Sequence, residues 1–220
     1  MPFCKWIASE KQPGDAVKLQ SVQKHERLLK EIEQLNVSYT VYSKPVMEGD
    51  KFYNSAYVYE KGSGHRKVHT KSLFPEEEYF WEETWYDRED VVSFEPLDLG
   101  EIRIGVLLCT EMWFTEHARM YGKLGIDLLL CPRATGFASV NQWVRCGQTL
   151  AIISGAYCLS SNRSGQGDGD FQWDGNGWIA KPTNGNLMAV TSANEKFITR
   201  EIDIDRSRAA KREYPLYVKD

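Results

Sequence analysis

Apolar residues recur at intervals of three and four between Asp15 and Leu35, at Val22, Leu28, Leu29, Ile32 and Leu35, with His25 on the same face. That period predicts an amphipathic helix over 15–35, with Asp15 as its N-cap after Pro13 and Gly14. The pattern then changes. NVSYTVYSKPV and KFYNSAYVYE are rich in β-branched and aromatic residues and are separated by MEGD, which predicts two neighbouring strands joined by a turn. KGSG ends the second strand, and RKVH begins a third segment. Further on, the apolar run in EIRIGVLLC predicts a strand covered on both faces. FTEHARMYGKLG reads as a helix stopped by glycine, IDLLLCP as a strand, VNQWVRCGQTLAIIS as a helix and AYCLSSN as a strand. GWIAKP, LMAVTS and KFITREIDI then read as short strands. Strand and helix alternating, followed by a run of strands, predict an α/β fold with a mixed sheet, built as one domain over residues 1–220.

Composition narrows the picture. The stretch EEEYFWEETWYDRED at 76–90 is acidic, but its interleaved aromatics predict an ordered surface loop rather than a disordered tail. A formal charge of -4 with dispersed Lys and Arg gives no electrostatic footprint for nucleic acid or an anionic membrane. Five cysteines without CxxC spacing suggest neither a disulfide framework nor a zinc site, so no metal or cofactor is expected and a reducing cytoplasm is. With no apolar run of about 18 residues and no signal-like start, the expectation is a soluble cytoplasmic protein.

Cys109, in GVLLCTEMW, is where chemistry enters. By burial statistics it reads as a small apolar filler; by position, at the carboxyl end of a strand in an α/β sheet, it reads as a nucleophile. A free thiol titrates near pH 8.5 and needs a cation, a helix N-terminus or a base to become reactive at neutral pH. The candidate helpers are His25, His65, His69, His117 and Lys67. His25 reads as a packed core histidine, and a dyad of Cys109 with His69 is an alternative without a motif behind it.

The order YNSAYVY, RKVH, WEETWY, GVLLCTEMWFTEHAR, GIDLLLCPRAT, SSNRSG, GWIAKPTNGNLMAVTS and FITREIDI resembles the nitrilase, or carbon-nitrogen hydrolase, superfamily over essentially the whole chain. The resemblance implies a four-layer αββα sandwich and subunits that pair into a homodimer or higher homo-oligomer. It implies Cys109 as nucleophile, Lys67 in RKVH as the lysine that steadies the tetrahedral intermediate, and the backbone N–H of Thr110 as an oxyanion donor. Glu82 matches a second glutamate that holds the lysine and contacts substrate, with Glu76, Glu77 and Glu78 as nearby rivals. Trp113, Arg133 and Thr135 fall on segments that line the substrate pocket. The implied substrate is a small amide or carbamoyl compound in preference to a nitrile, cleaved through a thioester or thioimidate. The family's general-base glutamate, with its first strand-helix-strand unit, falls before Met1, so an N-terminally truncated version of the fold is expected. A second reading follows from that departure: a hydrolase-like chain serving as a binding or assembly subunit without turnover.

Overall fold

Helix α1, Asp15–Glu33, buries Ser21, His25 and Ile32 along one stripe, as its periodicity predicts. Its start differs from the expectation: Gly14 is the N-cap and Asp15 is the first helical residue, where its carboxylate meets the positive end of the helix dipole instead of capping it. Val17, Leu19 and Leu35 remain exposed. The computed structural model describes residues 4–192 and 194–219.

After α1 come β1 (Tyr39–Glu48), β2 (Lys51–Glu60) and β3 (Gly64–Thr70), an antiparallel sheet in that order. The hairpin between β1 and β2 closes from Glu48 to Lys51, and Gly49 sits at φ 66, a left-handed conformation open to glycine without a Cβ penalty. β2 is the central strand and is buried from Phe52 to Ala56. The pairing of β2 with β3 shifts register between Ala56 and Tyr57, a bulge on the β3 side at Val68. Beyond the bulge, exposed Arg66 and Lys67 give way to buried His69, Thr70 and Lys71. The acidic stretch is ordered: β4 (Glu76–Glu77) pairs with β5 (Phe80–Trp81), and a one-turn helix α2 (Glu82–Trp85) follows.

The remaining elements are β6 (Leu97–Asp98), β7 (Arg103–Val106), α3 (Thr115–Lys123), β8 (Leu128–Leu130), α4 (Val140–Ser154) and β9 (Tyr157–Ser160). They are followed by β10 (Ser164–Gln166), β11 (Gln172–Asp174), β12 (Trp178–Ala180), β13 (Leu187–Val190) and α5 (Ile204–Ala210). A six-stranded mixed sheet runs β13-β12-β9-β8-β7-β6. β7, β8 and β9 are parallel, with α3 and α4 as the crossovers; β6 and the β12–β13 hairpin are antiparallel edges. Leu107, Met112, Tyr121, Ile126, Leu129, Leu150 and Trp178 form the centre of this core.

KFITREIDI is not a strand. Residues 195–203 carry no regular structure, and the chain then enters α5, whose Asp203 side chain caps the Asp205 N–H. β13 ends the sheet and the segment does not pair with it, and Phe197 is 80% exposed. The chain divides into two compact units, Met1–Ser93 and Phe94–Asp220. Among the described residues no helix is long and apolar enough to cross a membrane, and no group of three His, Cys, Asp or Glu side chains could hold a metal ion.

Candidate active site

In the second unit the chain leaves β7 through Leu107 and Leu108 and turns sharply at Cys109, whose φ is 54. Few residues other than glycine adopt this conformation, which costs about 1–3 kcal/mol and persists only where the surroundings impose it. Here they do. Leu107 N–H donates to Leu130 O at 3.0 Å and Cys109 N–H to Pro132 O at 3.1 Å, fastening the turn to the end of β8. Glu111 clasps it from the other side: its carboxylate accepts the Leu108 N–H at 2.8 Å while its own N–H donates to Leu108 O at 3.3 Å. Glu111 is wholly buried, and the clasp opens a short 3-10 turn, Cys109–Trp113, that contains Thr110.

The result is a thiol set at the carboxyl ends of the parallel strands, half-buried, with its Sγ 4.0 Å from Ala134 O. The other cysteines of this unit differ. Cys131, Cys146 and Cys158 are buried; burial pushes the Cys131 thiol well up and that of Cys146 up to about 12, so both stay protonated.

Arg133 and Thr135 are close by but face inward. The Arg133 side chain is fully buried, as is that of Asp174, its partner at 3.4 Å. Its guanidinium also donates to Ser160 Oγ at 3.0 Å, to Thr135 Oγ1 and to Asn176 O. It lies 4.2 Å from the ring of Trp178 and 5.7 Å from that of Trp143. Thr135 donates to Asp174 at 3.2 Å and accepts from Asn162 Nδ2 at 3.1 Å. Burial pushes the Arg133 pKa down, while Asp174 and the charge of Cys109 act to hold it up. Trp113 is 46% exposed, its ring 5.0 Å from Trp143. The structure thus gathers Cys109, Arg133 and Thr135 at one end of one sheet, but spends the arginine and threonine on internal bonds.

In the first unit Lys67 and Glu82 are not brought together. Lys67 Nζ bonds Glu89 at 2.8 Å and Glu48 at 3.1 Å with about a third of its side chain exposed. Partial burial works against its charge, but the hydrogen bonds from Glu89 and Glu48 outweigh it and raise its pKa. Glu82 instead holds Lys71: Nζ to Oε2 is 2.6 Å, with the two side chains 0% and 2% exposed. Lys71 N–H donates to Asn54 O at 2.9 Å, which continues the ladder beyond β3. The rival glutamates lie elsewhere: Glu76, Glu77 and Glu78 are exposed, and Glu76 caps the Thr84 N–H and hydroxyl. The sequence analysis missed Lys71. Its signal was a lysine followed by apolar Leu73 and Phe74, hidden because the bulge at Val68 resets the alternation that RKVH begins.

The family model of carbon-nitrogen hydrolases matches residues 6–212. N-carbamoylputrescine amidase of Solanum tuberosum is 24% identical over 179 residues, an overlap of 75% of this chain and 59% of the relative. The chain therefore spans about three fifths of the length of that relative. Among solved structures, a carbon-nitrogen hydrolase from Helicobacter pylori superposes with a TM-score of 0.86 at 22% identity, covering 97% of this chain and 78% of the other. Nit3 of Saccharomyces cerevisiae, a member of branch 10 of the nitrilase superfamily, gives 0.71 at 19% identity, over 96% and 73%. These likenesses establish a nitrilase-type fold.

Proposed function

The chain belongs to the carbon-nitrogen hydrolase family, and from that premise we propose that it cleaves small amides or carbamoyl compounds through a covalent adduct on Cys109, with Lys71, rather than Lys67, as the cooperating lysine. The Cys109 thiolate attacks the carbonyl carbon, a C–S bond forms, and the carbonyl electrons move onto oxygen. The backbone N–H of Thr110 stabilises that oxyanion. Collapse breaks the C–N bond, the departing nitrogen takes a proton and leaves as ammonia or an amine, and a thioester remains. Water then adds to the thioester, the C–S bond breaks, and the acid leaves with the thiol restored. Solvent water takes up the thiol proton and the proton of the attacking water, and supplies those that the departing nitrogen and the restored thiol need. Glu82 fixes the Lys71 ammonium in position, as the resemblance asks of the second glutamate, and its 2.6 Å bond is the support for choosing Lys71 over Lys67.

The observation that carries this reading is the half-exposed Cys109 in its left-handed conformation at a strand end. The amide or carbamoyl preference draws on the likeness to N-carbamoylputrescine amidase. Free cysteines throughout support a cytoplasmic setting, and the family resemblance supports a homodimer or higher homo-oligomer.

Ammonia release from a panel of amides and N-carbamoyl amines tests the proposal. Turnover lost in Cys109→Ala and in Lys71→Ala, but kept within about threefold in Lys67→Ala, is the expected result. Activity that survives Cys109→Ala, or that is lost in Lys67→Ala and kept in Lys71→Ala, would overturn it. A folded wild-type chain that binds panel members and never turns them over would favour the binding-subunit reading.

A further inference from the structure

Arg133 was expected to line a pocket, yet every contact of its guanidinium points into the protein. Four atoms and one ring surround it: Ser160 Oγ at the end of β9, Thr135 Oγ1, Asp174 Oδ2 of β11, Asn176 O, and the face of Trp178 in β12. One side chain therefore ties four chain segments together where the parallel strands end. The segment it belongs to is also the bed of the nucleophile: Pro132 O accepts the Cys109 N–H and Ala134 O lies 4.0 Å from Sγ. The backbone of Arg133 is fixed as well, its N–H donating to Ser161 O at 3.1 Å and its carbonyl accepting from Arg163 N at 3.3 Å.

The electrostatics add a second consequence. Asp174 does not form a close bidentate pair with Arg133; its nearest guanidinium contact is 3.4 Å. Its oxygens are also occupied by Thr135 Oγ1 at 3.2 Å and by the Asn176 N–H. A guanidinium whose counter-charge is shared in this way keeps much of its field, and burial strengthens that field.

We propose that Arg133 is a positioning residue for the nucleophile: it braces the 132–134 segment under Cys109 and supplies a buried positive charge that favours the thiolate, leaving recognition of substrate to other groups. This rests on Cys109 being the nucleophile. The charge of Cys109 acts to hold the Arg133 pKa up, which points the same way. In this unit Glu111 lies on the turn of Cys109 itself, and Asp174 lies against Arg133.

The test is alkylation of Cys109 by iodoacetamide in the folded chain, read by peptide mass spectrometry between about pH 5 and pH 10. A wild-type midpoint below the free-thiol value of about 8.5 is expected. Arg133→Gln should raise the midpoint by about one unit, slowing labelling about tenfold at neutral pH. Arg133→Lys keeps the charge and should hold the midpoint while lowering the plateau rate, because the forked bonds are lost. Asp174→Asn removes the opposing charge and should move the midpoint down, speeding labelling about threefold or more below pH 7. A brace without electrostatic action would leave the midpoints where they are, and an upward shift in Asp174→Asn would overturn the inference outright. If Arg133→Gln does not fold, Asp174→Asn and Arg133→Lys decide alone. A wild-type midpoint at or above 8.5 sinks the nucleophile assignment itself, whereas a low wild-type midpoint indifferent to Arg133 and Asp174 sinks this inference only.

Discussion

Replacing Glu82 by alanine would remove a carboxylate 2.6 Å from the Lys71 ammonium, whose side chain has no exposed surface. Breaking a buried pair from one side costs about 3–5 kcal/mol, since the buried charge that remains loses the compensation of its opposite. For a chain of this length about 1 kcal/mol moves the unfolding midpoint by roughly 2–4 °C, so Glu82→Ala should lower it by about 6–20 °C. The double change Lys71→Met with Glu82→Leu removes both charges and should recover most of that loss, because apolar replacement of a buried pair is often near neutral. The contrast is Lys67→Ala, whose ion pairs are a third or more exposed; it should cost no more than about 1 kcal/mol. Thermal and urea unfolding followed by circular dichroism measure all of these, and where the two units melt separately the loss belongs to the transition of residues 1–93. A cost below about 1 kcal/mol for Glu82→Ala, or a double variant less stable than Glu82→Ala alone, would refute the reasoning.

Four further outcomes are expected. His25 titrates at about 4 in the fold against 6.5 unfolded, chiefly because burial disfavours the imidazolium. The folded state thus binds fewer protons between those values: stability is complete above pH 6.5 and falls by up to about 3 kcal/mol as the pH drops toward 4, a slope that His25→Gln should flatten in urea titrations at each pH. Gly147→Ala would put a Cβ 2.4 Å from the indole nitrogen of Trp178, which is 1% exposed; the overpacking should cost about 1–3 kcal/mol, and an unchanged melting temperature would count against that packing. Native-state alkylation near pH 8 should modify Cys109 and Cys4 and spare Cys131, Cys146 and Cys158 until the chain unfolds, and equal rates for Cys146 and Cys109 would contradict the burial described. Glu111→Ala strands the Leu108 N–H, which should cost about 1–3 kcal/mol by urea unfolding and slow Cys109 alkylation, while retained alkylation would show that the turn holds without its clasp.

What could be read in the sequence was whatever depends on a regular period or on a chain-order motif. α4 occupies the predicted residues 140–154, β2 the predicted 51–60, and the strand-turn position of Cys109 follows from the apolar run that ends just before it. KFITREIDI shows where period fails: its alternation suits a strand, but a strand also needs a neighbour to take up its backbone hydrogen bonds, and the sheet ends at β13 without it. Lys67 and Lys71 show the same limit at one-residue resolution. A bulge of one residue decides which lysine of a short basic segment faces the interior, and nothing local to RKVH announces a bulge.

Arg133 shows a different limit, one of sequence distance. Its fate depends on Asp174, 41 residues further along, and on Ser160, 27 residues further along; neither forms a motif with it. A charged residue beside a nucleophile invites reading as a substrate clamp because the cost of burying it is invisible until its partners are known. Once the partners are counted, with Ser160, Thr135, Asp174 and Asn176 taking its donors and Trp178 covering its face, an arginine so spent has little left for a ligand. It can still act on the thiol through its charge and through the backbone on either side of it. A strained turn such as that at Cys109 needs this kind of support, because a conformation that costs about 1–3 kcal/mol persists only while its surroundings outweigh the cost. Glu111 and the 132–134 segment provide that support from opposite sides.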